Sequence, residues 1–241
     1  MIKKELKELT TLLRNIPSAV LALFVVSVVA MNLLANKSIN LPVSWMALDC
    51  GIIVSWISFL SMDMIAKHFG AKASFEVSMV ATAFNLLLCG VFFIASKIPG
   101  AWGESYVEVG GELINSALDN TFGGVWYVIL GSTIAFIVSA LVNAITNGLI
   151  GKMMKKDTYG AFICRSYIST VLAQVVDNLT FALIVSHVFF GWTLVQCITC
   201  SLIGAVVELI GEVLLSGVGY KVCKNWKNES VGSEYLNLIS K

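Results

Sequence analysis

Long apolar stretches separated by short polar or basic ones run through the whole chain. A hydrocarbon layer about 30 Å thick is crossed by about 20 apolar residues in a helix. Six stretches reach that length, near residues 17–36, 45–66, 74–95, 125–150, 160–190 and 192–220. The last two exceed a perpendicular crossing, so they are expected to tilt or to project beyond the hydrocarbon. The three prolines, Pro17, Pro42 and Pro99, fall at stretch edges or between stretches, so none interrupts a crossing. The pattern predicts an all-α polytopic membrane protein with six transmembrane helices. Residues 1–16 form an N-terminal tail, 17–220 the six-helix domain with an outer loop at 96–124, and 221–241 a C-terminal tail.

Basic residues orient that arrangement, because cytoplasmic loops are enriched in Lys and Arg. Lys3, Lys4, Lys7 and Arg14 precede the first stretch. Lys67 and Lys72 follow the second, and Lys152, Lys155, Lys156 and Arg165 lie around the fourth-to-fifth connection. Lys221, Lys224, Lys227 and Lys241 follow the sixth, so 14 of the 16 fall on one side and only Lys37 and Lys97 on the other. Both termini are therefore expected in the cytoplasm, with the chain a multi-pass protein of a bacterial cytoplasmic membrane. Trp45, Trp126 and Trp192 open the three stretches that start outside, as interfacial anchors do. Trp56 departs from that pattern by lying near the middle of the second stretch.

Composition narrows the function. Hydrophobic residues make up 57% of the chain and charged ones 13%, against about 25% charged in a soluble domain. A soluble enzyme, a disordered chain and a nucleic-acid-binding domain are thereby excluded, and a net charge of +1 supplies no field to recruit a polyanion. The chain has no HExxH, Walker A or Gly-x-Ser-x-Gly segment. Cys197 and Cys200 have CxxC spacing but sit in an apolar run, where they read as packing thiols. No cofactor, metal or catalytic residue is called for.

Polar side chains at membrane depth are the candidate chemistry. An acid at a helix centre costs about 2.5–3.5 kcal/mol on insertion scales, so such groups face a cavity or a partner. The fifth stretch carries Gln174, Asp177 and Asn178, and the sixth carries Glu208 with Glu212 one turn further in. The third carries Asn85. Asn32, Asn36 and Asp49 lie toward the outside, and Asn143 and Asn147 toward the inside. At 100° per residue Tyr167, Thr170, Gln174, Asp177 and Phe181 form one stripe, which should point into the bundle. Gly204, Glu208 and Gly211 share a face of the sixth stretch, where a neighbouring helix or ligand can approach closely. Asn143 and Asn147 read as interhelical glue, Asp49 as a complement to a helix N-terminus or an entrance residue, and Arg165 as snorkelling to the surface. Glu104, Glu108 and Glu112 recur every four residues in the outer loop, a solvated acidic face or an interfacial lid.

The run Arg165-Ser166-Tyr167-Ile168-Ser169-Thr170, followed by Gln174, Asp177 and Phe181, resembles the signature of the queuosine-precursor transporters in the vitamin uptake transporter family. Asn32 to Lys37 resembles that family's Asn-rich end of the first span. Asp49-Cys50-Gly51, with Asp63, Phe69-Gly70 and Lys72, resembles its second span and following loop. The resemblance covers nearly the whole chain. It implies a six-span importer of 7-deazaguanine bases, such as 7-cyano-7-deazaguanine, 7-aminomethyl-7-deazaguanine or queuine, that feed tRNA modification.

The polar inventory suits that class. A guanine-like edge offers N1–H and an exocyclic NH₂, two parallel donors that a carboxylate accepts bidentately. The planar ring wants an aromatic platform, worth about 1–3 kcal/mol per base. Asp177 or Glu208 is expected to read the donor edge. Gln174, Asn178, Asn85, Asn32 and Asn36 would supply further hydrogen bonds, and Trp56, Tyr167 or Phe181 the platform. Asp49, Glu212 and Arg165 are candidates for entrance or coupling. The partners expected are the base and the lipid bilayer, with no nucleic acid; a homo-oligomer is left open. Two other readings stay open: the substrate-binding subunit of an energy-coupling-factor importer, and an intramembrane enzyme using Asp177 and Glu208 as acid and base.

Overall fold

Pro17 divides the start of the chain into two helices of opposite character. The computed structural model describes residues 2–39, 41–103, 111–123, 126–153 and 158–240. It places α1 at Ile2–Asn15 and α2 at Ser18–Leu34, with a bend of 105° between them. Proline has no amide hydrogen to continue a helix and disfavours helical geometry in the residue before it. α1 is amphipathic: Glu8, Thr11, Leu12 and Ile16 are buried on one face while Lys3, Lys4 and Lys7 are exposed.

A short hairpin follows, β1 (Ser38–Ile39) against β2 (Leu48–Asp49), antiparallel with Ser38 opposite Asp49. Helix α3 (Ile52–Phe69) therefore starts seven residues later than the apolar stretch at 45–66 predicts. Its C-terminus turns directly into α4 (Ala71–Ala95) through Gly70, whose φ of +96° is a conformation that side chains with a Cβ rarely adopt.

Helix α5 (Gly111–Gly123) lies within the segment read as an outer loop, and it is tied to α4 by the Phe92–Phe122 ring contact. Glu112 is in its first turn; Glu104 and Glu108 lie outside the described residues. The chain then runs through α6 (Trp126–Met153) and α7 (Tyr159–Phe181). The latter continues through a π-helical turn at Ala182–Ser186 into the short α8 (His187–Phe189).

Helix α9 (Leu194–Asn228) opens with a capping box, in which the Thr193 hydroxyl accepts from Gln196 N–H and the Gln196 carboxamide oxygen accepts from Thr193 N–H. Its 35 residues span about 52 Å, so it projects beyond a bilayer core as its length predicts. Helix α10 (Ser233–Ile239) ends the described chain.

Among the described residues five helices are long and apolar enough to cross a membrane, and a sixth is reached when the bent α1–α2 pair counts as one. α7 packs between α6 and α9, while α3 packs against α2, α4 and α9. The segments read as N- and C-terminal tails are helical and meet: α1 and α10 pack together. Leu12, Ile16, Phe69, Trp226 and Tyr235 join one core at what is called here the terminal end of the bundle. The hairpin and α5 lie at the opposite, far end.

Polarity is inverted relative to a soluble protein. Leu87, Ile94, Ile145, Leu202, Val206, Ile210 and Leu214 are exposed on the outside. Ser58, Asp63, Asn143, Ser169, Gln174 and Glu212 are buried inside. An apolar exterior around a hydrogen-bonded polar interior is the arrangement that hydrocarbon imposes.

Candidate functional site

The polar stripe of α7 points into the bundle, and it divides into two groups separated along the helix. Ser166 and Asp177 are eleven positions apart, about 16 Å of helix. Each end gathers its own partners from α3, α6 and α9.

The far group surrounds a cavity. Its wall combines Met31, Asn32 and Ala35 of α2, Asp49 of the hairpin, Gly51, and Ile52 and Ser55 of α3. Ser132 and Ala135 of α6, Asp177, Asn178 and Phe181 of α7, and Glu208 of α9 complete it. Glu208 accepts hydrogen bonds from the Ser55 hydroxyl and, at 3.2 Å, from Asn178 Nδ2. Asp177 Oδ1 accepts from the Ser139 hydroxyl at 2.8 Å. Asp49 Oδ1 accepts from Gly51 N–H at 2.7 Å, which fixes the turn leading into α3. Three carboxyl groups thus line one space whose wall, among the described residues, includes no Lys, Arg or His. Two further wall atoms, Asn32 Nδ2 and Ser132 Oγ, are buried without a hydrogen-bond partner. The carboxylates supply acceptors, Asn32 a spare donor, and Phe181 an aromatic face.

The space itself is narrow. Its volume is about 30 Å³. That is room for about one or two waters.

The terminal group is closed and centres on Asp63 of α3. Asp63 Oδ1 accepts from Asn147 Nδ2 at 2.8 Å, and from Asn143 Nδ2 and the Ser169 hydroxyl at 3.3 Å each. Its Oδ2 accepts from the Thr170 hydroxyl at 2.8 Å and from the Ser166 hydroxyl. Ser166 also bonds Glu212 of α9. Arg165 is held inside the bundle. Its Nε donates to Asn147 Oδ1, its guanidinium donates to the Ala66 carbonyl at 3.1 Å, and the group lies against Gly151. The carboxamide of Asn147 therefore relays between the guanidinium and Asp63. This differs from a snorkelling Arg165 and from Asn143 and Asn147 acting only as glue, since all three serve one buried carboxylate.

Of the candidate base-contacting residues, Asn32, Asp177, Asn178, Phe181 and Glu208 meet at the cavity, joined by Asp49. The others do not reach it. Gln174 is wholly buried between the two groups, with both carboxamide atoms unpartnered. Asn85 Nδ2 contacts Thr133 Oγ1 at 3.5 Å, and Asn36 Nδ2 donates to the Leu33 carbonyl at 3.0 Å. Trp56 donates to the Ile53 carbonyl at 2.8 Å and packs flat against Gly211. The Tyr167 hydroxyl donates to Ser216 at 2.9 Å. Glu212 joins the terminal group.

Sequence reading passed over Asp63 because a span drawn from residue 45 puts it near the edge. With α3 running on to Phe69, Asp63 lies well inside the helix and is 1% exposed.

The sequence profile of a protein family described as "Putative vitamin uptake transporter" matches residues 49–224. No curated protein and no solved structure matches the chain. The matched stretch includes Asp49, Asp63, Asp177, Glu208 and Glu212, and so carries the carboxyl groups of both clusters.

Proposed function

Because the chain belongs to the vitamin uptake transporter family, we propose that it imports a queuosine precursor, a 7-deazaguanine base, through the cavity between α2, α3, α6, α7 and α9. The observation that carries this reading is the wall itself: Asp49, Asp177 and Glu208 without a cationic neighbour, facing Phe181. A base with two parallel N–H donors and a flat ring neutralises the hydrogen-bonding demand of a carboxylate and stacks on the phenyl face. Asn32 Nδ2, lacking a partner, suits the O6 acceptor of the same edge. One of Asp177 and Glu208 takes the donor edge, and the remaining acids receive the cationic arm of an aminomethyl base.

The cavity is smaller than a two-ring heterocycle, so it must widen to take one. Loading requires α9 to separate from α3 and α7. Gly211 against Trp56 and Gly204 against Asn178 are two of the places where α9 meets those helices; the Ser55–Glu208 and Ser166–Glu212 bonds are others. With the terminal end in the cytoplasm, as the basic residues indicate, the cavity opens toward the far, outer side.

Purified protein in liposomes tests the reading. Labelled 7-cyano- or 7-aminomethyl-7-deazaguanine should enter unchanged, in competition with the other, without any ATPase present. Entry only when energy-coupling partners are added would assign the chain to the substrate-binding subunits instead. A chemically altered product would make it an enzyme, and an absence of binding to any deazaguanine would overturn the proposal.

A further inference from the structure

The terminal group has one hydrogen too few. Ser166 Oγ contacts both Asp63 Oδ2 and Glu212 Oε1, and a hydroxyl has a single hydrogen to donate. Ser166 therefore stands between the Asp63 and Glu212 carboxyl groups. Two ionised carboxylates cannot make these contacts, because neither brings a donor. A second observation is independent of the first. Glu212 Oε2 and Asn143 Oδ1 belong to side chains that are 0% exposed, and both atoms lack a donor. The site is short of positive hydrogen.

Charge counting agrees. The groups around Asp63 are Arg165 of α7, through Asn147, and Glu212 of α9, through Ser166, with neutral Asn143 and Asn147 on α6; the Cys223 thiol of α9 donates to the Met64 carbonyl. α2 has no titratable side chain, and on α4 Lys72 and Glu76 pair with each other at the terminal surface. One guanidinium against two carboxylates leaves a surplus negative charge in a low-dielectric interior, and one added proton cancels it.

We propose that Asp63 and Glu212 bind one exchangeable proton through Ser166, and that this pair couples import to proton entry. The coupling rests on the transport reading; the bound proton does not. Glu212 lies one turn from Glu208 on α9, so a movement of α9 that opens the cavity also changes the Glu212–Ser166 contact. The proton is taken up from the outer side with the base, is held between two oxygens, and leaves toward the terminal end.

Two measurements on the reconstituted full chain test this separately. Infrared spectra at neutral pH should contain a protonated-carboxyl C=O band that is lost in Glu212→Gln and altered in Asp63→Asn and Ser166→Ala. A band unchanged in all three variants overturns the bound proton, whatever the protein transports. Uptake of labelled 7-aminomethyl-7-deazaguanine should rise at least tenfold when the outside is made acidic relative to the lumen. Glu212→Gln and Asp63→Asn should lose that response while still exchanging base at equal pH. Wild-type uptake indifferent to the gradient overturns the coupling alone; no uptake under any condition overturns the transport reading and the coupling with it, and leaves the infrared result to stand.

Discussion

Glu208 and Glu212 stand one turn apart on α9, yet they serve different sites: the first bonds Ser55 and Asn178 at the cavity, the second bonds Ser166 beside Asp63. Their substitution effects should separate. A hydrogen bond to a charged group is worth about 1.5–3 kcal/mol, so Glu208→Gln should weaken deazaguanine binding about 10- to 100-fold. Glu212→Gln should change affinity far less. Calorimetric titration of detergent-purified protein reads both. Asp177→Asn belongs with Glu208→Gln, and wild-type affinity in both variants would remove the cavity from consideration.

Gly204 lets α9 approach the α7 wall. A Cβ there would lie 2.7 Å from Asn178 Nδ2, closer than real contacts allow. Gly204→Ala should therefore push the Asn178 carboxamide off Glu208 and reduce base affinity. Gly211→Ala meets the Trp56 ring at 2.8 Å, and a ring yields less readily than an amide. Its expected effect is on stability, about 1–3 kcal/mol of overpacking, measured as a lower thermal midpoint in detergent.

Arg165 joins α6 and α3 through Asn147 and the Ala66 carbonyl. Lysine has one compact ammonium in place of a planar fork and cannot reach both acceptors at once. Arg165→Lys should thus lower the thermal midpoint nearly as far as Arg165→Met, a loss of about 1.5–3 kcal/mol for each charge-assisted bond. Full rescue by lysine would show that the fork geometry is irrelevant.

The α1 helix is held to the bundle partly by Lys72, which bonds Glu8 at 2.8 Å and Glu5 at 3.0 Å. The Lys72 ammonium beside Glu8 keeps its carboxyl below the ordinary value. A lowered pKa in the folded state contributes stability that is complete above the unfolded value, about 4.3, and disappears as pH falls through the folded one. The protection of α1 amides from exchange, relative to the intrinsic rate at each pH, should accordingly fall as the medium is acidified below about pH 4. In Lys72→Met that protection should already be low at neutral pH, with little further response to acid.

The apolar runs made the crossings legible because hydrocarbon tolerates no alternative to a long helix. The stripe from Tyr167 to Phe181 was legible for a related reason: a single periodicity governs α7 up to its π turn. What sequence could not supply was tertiary. Residues 45–51 are apolar enough to extend α3, but the pairing of Leu48–Asp49 with Ser38–Ile39 takes them into a hairpin. That pairing moves Asp49 from a helix end to the cavity wall, and the extension of α3 to Phe69 takes Asp63 from an edge to the interior. Trp56 reads as an aromatic platform by depth alone; its facing glycine, Gly211, comes from another helix. Gln174 shares the stripe with Asp177 yet misses the cavity, since a helix face spans more length than one site occupies. The amphipathic face of α1 is visible in the spacing of Glu8, Leu12 and Ile16, but its docking on α10 is a contact between the two ends of the chain.

The π-helical turn at Ala182–Ser186 has a consequence for how the far end is phased. A π turn accommodates one residue more than the α-helix around it. Everything beyond it is rotated by about 100° relative to an uninterrupted α7. The Tyr127–Phe189 stack at 4.2 Å and the His187 contact with the Trp192 carbonyl at 2.6 Å are built on that rotated segment. Removing a single amino acid between 182 and 186 would restore the regular ladder, swing those aromatic groups out of alignment, and leave Asp177 and Asn178 where they are. The aromatic contacts beyond the turn and the lining of the chamber thus occupy one rod but answer to separate angular registers, so either can be retuned without disturbing the other.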